Sequence, residues 1–412
     1  MSHWIVVPIV LPAIVASLLL LGLNRETVLE RSISLMSTAA MLVVAIALLA
    51  AAIHNPPEAY ALGNWVAPFG IVMVLDRLSA LMLVLTAVLA LLVLVYAVHG
   101  WDRRGRHFHA LFQFQLMGVN GAFLTGDVFN LFVFFEVLLI ASYGLMLSGG
   151  RGPRTRAGLH YIAFNIVASA LFLVALGLIY GQSGALNIGE LARRVAAADP
   201  AQAPLLKAAA GVLLVVFCAK AALLPMYFWL PQAYARAPGA VAALFAIMTK
   251  IGVYSVLRVY TAVYGEDAGA LAGMAWPWLL GAGAATLALG TLGALAAPNL
   301  RLLAANLVVV SAGTLFLAIG LATPGTIAAG LYYLVHSTLA AAALFLLADL
   351  VRTQRRPGGD SMRRIGLAAH GGVLGGLYLV AAVALVGLPP LSGFVAKLSL
   401  LAAVPAQHVG WV

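Results

Sequence analysis

Of the 412 residues, 64% are apolar and only 9% are charged, and the mean hydropathy is +1.05; no water-soluble globular domain sustains this balance, and it marks a polytopic membrane protein. The net charge of +10 falls in short arginine clusters between apolar runs, without the basic stripe that a nucleic-acid partner requires. The lone cysteine, Cys218, sits inside an apolar run, which excludes a disulfide framework, a CxxC motif and a cysteine metal centre.

The N-terminus "MSHWIVVPIVLPAIVASLLLLGLNRE" has no basic residue ahead of its apolar run, so it reads as a retained first span and not as a secretory leader. At about 20 apolar residues per crossing, the runs fall near 4–23, 33–53, 71–98, 108–125, 128–147, 157–180, 205–228, 239–260, 274–296, 301–320, 325–349 and 370–404. None alternates in polarity as membrane-barrel strands do. The odd-numbered connections hold Arg25, Arg31, Arg103, Arg104, Arg106, Arg151, Arg154, Arg156, Arg236, Arg301, Arg352, Arg355, Arg356, Arg363 and Arg364; the even-numbered ones hold Arg193, Arg194 and Lys207. The positive-inside rule therefore predicts an all-α protein with about twelve spans, arginine-rich loops in the cytoplasm and both termini outside.

Several charged residues fall at run boundaries and are expected to be interfacial anchors: Asp76 and Arg77 at the start of the third run, Asp127 in a short outer turn, Arg258 at the end of the eighth and Asp349 at the end of the eleventh. The segment "HGWDRRGRHFH" groups His99, His107 and His109 without acidic ligands at helical spacing, and reads as a solvated loop with no metal. "NIGELARRVAAADP" places Ile188, Leu191 and Val195 on one face of a short amphipathic helix. The seventh run contains Pro225, and the twelfth contains Gly387, Pro389, Pro390 and Gly393. Proline removes a helical donor and clashes with the preceding turn, so both helices are expected to break, and broken helices at membrane depth point to transport sites. The glycines of "GAGAATLALGTLGAL" predict close helix packing.

Five titratable side chains lie inside runs: Glu136, Lys220, Lys250, His336 and Lys397. A charge at bilayer depth costs from ~3 to over 10 kcal/mol, so each must be paired, neutral or wetted. A carboxylate that moves relative to a desolvated lysine switches whether that lysine keeps its proton. Together with a histidine bridge, such groups form a proton relay. Weak internal echoes, such as "NLFVFFEVLLIASYGL" against "NLVVVSAGTLFLAIGL", recur at an offset covering five spans, as inverted repeats would. There is no phosphate-binding glycine loop, HExxH or nucleophile elbow, so no cofactor and no covalent catalysis are expected.

The segments "GDVFNLFVFFEVLLIASYGL", "AKAALLPMYFWLPQAY", "TKIGVYSVLRVY" and "GLPPLSGFVAKL" resemble the D-subunit family of multisubunit Mrp-type, or Pha-type, sodium or potassium/proton antiporters. The likeness runs through almost the whole chain, and that family belongs to a superfamily shared with the proton-pumping membrane subunits of complex I and of membrane-bound hydrogenases. The resemblance implies an N-terminal three-helix segment (1–107) and two inverted five-helix repeats (108–260 and 261–412), with spans seven and twelve broken. Relatives have about fourteen spans, so the second repeat would be incomplete at its C-terminus. Glu136 would be the ionic partner of Lys220 in a relay running through Lys250 and His336 to Lys397, in a bacterial inner-membrane complex with other subunits. Its substrates would be H+ and Na+ or K+. Many relatives have a lysine where this chain has Ala340, which leaves the passage from Lys250 to Lys397 to His336 and water. The alternative implied by the superfamily is a proton-pumping subunit of an NADH:quinone oxidoreductase-like or hydrogenase complex.

Overall fold

A computed structural model describes residues 2–21, 27–65, 67–150, 152–355, 358–363 and 371–411; Arg25, Arg151, Arg356 and Arg364 lie outside these residues. Its helices are α1 (Val7–Leu21), α2 (Thr27–His54), α3 (Arg77–Ala97), α4 (Phe108–Leu124), α5 (Val128–Leu147), α6 (Pro153–Ser183), α7 (Ile188–Ala196), α8 (Ala203–Lys220), α9 (Trp229–Arg236), α10 (Gly239–Phe245), α11 (Met248–Ala262), α12 (Trp276–Leu295), α13 (Leu300–Gly320), α14 (Pro324–Gln354), α15 (Gly371–Val386) and α16 (Ser392–Ala403). Among the described residues, ten helical segments are long and apolar enough to cross a bilayer, making this a multi-pass membrane protein.

The fourth and twelfth expected spans differ from the other ten. Helix α4 has only 17 residues, almost all of them buried; two of its amides bond to neighbouring helices, while both polar atoms of the Gln115 amide are buried without a hydrogen-bond partner. The Gln113 amide donates to Ser34 Oγ and Thr38 Oγ1, both at 3.1 Å, and Asn120 donates to the Pro8 carbonyl at 2.8 Å. These bonds tie α4 to α1 and α2, and hydrogen bonds of this kind hold helices together in lipid. The twelfth span is two half-helices, α15 and α16, of 16 and 12 residues.

Both expected breaks are present, and their freed backbone groups find partners. Pro225 clashes with the carbonyl four residues earlier, and α8 stops at Lys220. The Leu223 N–H returns to the Cys218 carbonyl at 2.9 Å and the Ala222 N–H to that of Ala219 at 3.2 Å, with Ala222 at φ 59°; this is the closing pattern that glycine usually serves. The next donor, Leu224 N–H, reaches Thr286 Oγ1 on α12 at 2.8 Å. In the second break Gly387 adopts φ 84°, and its N–H and that of Leu388 both return to the Val383 carbonyl, at 3.0 and 3.1 Å.

A third interruption has no sequence signal. The eighth span is α10 and α11, joined at Ala246 and Ile247 by bonds to carbonyls three residues back. The third span also starts later than its apolar run, because Val72–Leu75 pairs with Glu58–Ala61 as an antiparallel hairpin. The glycine expectation holds for Gly283 and Gly290 on α12: an added Cβ would lie 2.8 Å from Leu317 N and 3.0 Å from Val310 N of α13. Helix α7 likewise forms, with Ile188, Leu191 and Val195 buried.

The boundary charges do more than anchor. Asp76 caps α3 and receives two bonds from Arg258, the longer at 2.8 Å. Asp127 caps α5 through the Asn130 N–H, and Asp349 is fully buried within α14. Nor is the histidine segment wholly solvated. Asp102 and His109 are buried, and Asp102 accepts from Arg31 at 2.5 and 2.8 Å and meets His109 Nε2 at 3.3 Å.

Two isolated bridges pin loops to helix starts. Asp127, which caps α5, pairs with Asn187, and Asn299, which caps α13, pairs with Ser361. Beside the second bridge Asp360 accepts from Arg301 Nε at 2.9 Å and from its terminal nitrogen at 3.1 Å. Burial opposes ionisation of Asp360, but the Arg301 hydrogen bonds and charge outweigh it and hold the carboxyl below its ordinary value. The resulting stabilisation is present above that ordinary value, about pH 4, and is lost as pH falls below it. Asp360→Asn is therefore expected to destabilise the detergent-solubilised protein by about 1–3 kcal/mol at pH 7, with the gap to wild type closing as pH drops below about 4; denaturation curves at both pH values check this.

Close approach of α16 to α15 depends on Gly393, whose added Cβ would lie 1.9 Å from the Ala384 carbonyl oxygen and 2.9 Å from His336 Nε2. A backbone carbonyl cannot swing aside, so Gly393→Ala is expected to destabilise by about 1–3 kcal/mol. Gly376→Ala, facing open space, is the control. Equal melting temperatures for the two variants would refute the close-packing assignment.

Candidate functional site

The chain forms two compact units, residues 1–158, 162–216 and 254–273 in one, and 159–161, 217–253 and 274–412 in the other. Glu136 belongs to the first; Lys220, Lys250, His336 and Lys397 belong to the second.

Glu136 lies mid-way along α5, half-buried, and its Oε1 accepts from Ser169 Oγ on α6. A carboxylate in lipid surroundings requires such a donor, and Ser169 is itself buried. Lys220 is the last residue of α8 and only 4% exposed. It stands where the helix has run out of intrahelical donors for its final carbonyls, the end that favours a cation. One of those carbonyls, that of Ala219, is taken by the Trp229 indole N–H at 3.1 Å.

Lys250 follows the α10–α11 interruption by one turn and is completely buried. Its Nζ donates to Ser311 Oγ on α13 at 2.5 Å, and that hydroxyl donates to the Val308 carbonyl at 2.8 Å. His336 on α14 is buried, with Nδ1 2.9 Å from Ser392 Oγ at the first position of α16. Lys397, one and a half turns further along α16, sends its Nζ back across the break to the Leu385 and Val386 carbonyls, at 3.1 and 2.8 Å. These are the last carbonyls of α15, so the ammonium caps a half-helix at its negative end.

Ser311, His336 and Lys397 share one cavity of about 640 Å³, walled by α12 to α16 and lined also by Tyr333, Tyr378 and Leu385. It is large enough for on the order of ten or more water molecules, with hydroxyl and amine partners to orient them. Lys250 does not line the cavity and reaches it through Ser311; Ala340 does not line it either, whereas Ala341 does. The sequence reading named the titratable groups and missed their hydroxyl partners Ser169, Ser311 and Ser392. A polar residue within an apolar run is their only signal, and many such serines simply bond to their own helix.

A family profile described as NADH:quinone oxidoreductase/Mrp antiporter, TM, matches residues 125–412. The chain is 45% identical to the probable K+/H+ antiporter D subunit of Rhizobium meliloti (strain 1021), over 97% of this chain and 79% of that one. It is 38% identical to the Na+/H+ antiporter D subunit of Alkalihalophilus pseudofirmus, over 98% and 81%. In three dimensions it superposes on a chain of the Mrp complex from Dietzia sp. DQ12-45-1b with a TM-score of 0.89 at 32% identity, covering 100% of this chain and 76% of that one. With a fold shared along its whole length and sequence identity well above chance over nearly all of it, this chain belongs to the D-subunit family of cation/proton antiporters, within the NADH:quinone oxidoreductase/Mrp antiporter transmembrane family.

Proposed function

We propose that the chain is a proton-translocating subunit of a multisubunit Na+ or K+/H+ antiporter in a bacterial plasma membrane, a secondary transporter and not an enzyme. Protons pass through Glu136, Lys220, Lys250, His336 and Lys397, coupled to cation efflux, with other subunits of the complex as partners. The observation that carries this reading is the cavity: Ser311, bonded to Lys250, shares it with His336 and Lys397. Three ionisable groups on three helices, two of them facing one cavity and the third bonded to a residue of its wall, have no structural use that apolar packing would not serve better.

Two inverted repeats, 108–260 and 261–412, belong to the same proposal. Helices α6 and α14 each have 31 residues and a proline in the first turn. The helices before them, α5 and α13, begin at caps that bridge to the following loops, Asp127 to Asn187 and Asn299 to Ser361. A broken helix follows each loop, and the paired caps and 31-residue helices recur roughly 170–175 residues apart, across an odd number of spans. The redox-complex reading rests on the shared family description, and flavin or iron absorbance in the purified native complex would favour it over antiport.

For orientation we place the arginine-rich connections in the cytoplasm. Arg156 and the exposed Arg193 are separated by α6, whose 31 residues span about 46 Å, more than a hydrocarbon core. In a Cys218→Ala background, Arg193→Cys is expected to react with an impermeant thiol reagent in intact cells and Arg156→Cys only in inverted vesicles. Labelling of both from one side would refute the topology.

Glu136→Ala and Lys220→Ala are each expected to lower cation-dependent proton movement in inverted vesicles by about 100-fold or more, with the assembled complex still present. Glu136→Asp retains part of the rate, because the charge survives on a shorter arm. Wild-type rates in Glu136→Gln would show that ionisation at this position is dispensable.

A further inference from the structure

Lys250 is wholly buried and absent from the cavity wall, so a proton leaving it needs an intermediary. Ser311 is placed for that: its Oγ lies 2.5 Å from Lys250 Nζ, and the same residue lines the cavity that holds His336 and Lys397. We propose that Ser311 is a hydroxyl station that carries the proton between Lys250 and the cavity water, an assignment that rests on the relay reading above.

The transfer balances without any other reactant. In one direction an N–H bond of the Lys250 ammonium breaks as an O–H bond forms at Ser311 Oγ, while the hydroxyl's original O–H bond breaks and its proton passes to a cavity water. Lys250 is left neutral and the water carries the charge towards His336. In the resting arrangement that original proton is held by the Val308 carbonyl at 2.8 Å. Rotation about the Cβ–Oγ bond turns it from Val308 towards the cavity, a motion within the freedom of a serine hydroxyl. Before that rotation the i to i−3 bond to Val308 orients the hydroxyl so that its lone pairs face the amine. An alanine leaves a gap with neither donor nor acceptor, whereas threonine keeps the hydroxyl and cysteine keeps a weaker donor in its thiol.

The test compares Ser311→Ala, Ser311→Thr, Ser311→Cys and Lys250→Ala in inverted vesicles, with rates normalised to assembled complex and measured in H2O and D2O. Ser311→Ala is expected to slow cation-dependent proton movement by about 10-fold or more, with the apparent KM for the cation unchanged and a larger solvent isotope effect, because proton transfer has become limiting. Either Ser311→Thr or Ser311→Cys should recover part of the rate and return the isotope effect towards wild type. Two outcomes overturn the assignment while leaving the relay intact: wild-type rates in Ser311→Ala while Lys250→Ala is inactive, or a slow Ser311→Ala with an unchanged isotope effect and no recovery in either hydroxyl-retaining or thiol variant. The latter would make Ser311 only a support for the lysine. Wild-type transport in Lys250→Ala would instead remove the relay reading itself, and Ser311 with it.

Discussion

In the hydrocarbon layer no solvent is available to satisfy a polar group, so every charge and every backbone donor or acceptor released at that depth must be met from inside the protein. The two broken helices and the buried lysines answer this constraint together. A break exposes the final carbonyls of a half-helix, and a lysine needs acceptors. Lys397 supplies its ammonium to the last carbonyls of α15, and Lys220 occupies the last position of α8. At Lys397 the negative end of a half-helix meets an amine. Straightening the α15–α16 break would remove the carbonyls that favour the Lys397 amine, and removing the amine would leave those carbonyls short of a donor. Under the relay reading the break is thus part of the proton path and not a defect near it.

The same constraint explains which features were legible in the sequence. Apolar run length follows from bilayer thickness, so the spans could be placed, and proline chemistry located both breaks, though α8 ends five residues before Pro225 because the ring acts on the turn behind it. The five titratable residues stood out against their apolar surroundings. Partners did not. Arg258 and Asp76 are 182 positions apart, and nothing in either run announces the other; both looked like independent interfacial anchors. The interruption between α10 and α11 contains neither proline nor glycine, and tertiary packing imposes it where local preference is silent. Val72–Leu75 was taken into the third helix because a short apolar run carries no period that separates strand from helix.

Serine partners were invisible for a different reason. In a membrane helix a hydroxyl is commonly satisfied by its own carbonyl three or four residues back, as Thr86 and Thr338 are here, so a serine in an apolar run predicts nothing about a neighbouring helix. Ser311 makes such a local bond and also accepts from Lys250. Only the placement of α11 against α13 reveals the second role.

The second unit's cavity has a further electrostatic property. Among its described lining residues there is a lysine and a histidine but no carboxylate, in contrast to the first unit, where Glu136 holds a site on α5. Positive charges facing one low-dielectric space repel one another, and neither an acidic neighbour nor bulk water screens them fully. Under the relay reading, a proton arriving from Lys250 raises the energy of one already held at Lys397, and departure of the second makes room for the first. Carbonyls at the end of α15 stabilise the charge at Lys397 without neutralising it, so the site holds a proton without binding it irreversibly. A carboxylate in the same wall would form an ion pair and trap the proton. Under the relay reading, a wall without a carboxylate lets Lys397 release the proton it receives.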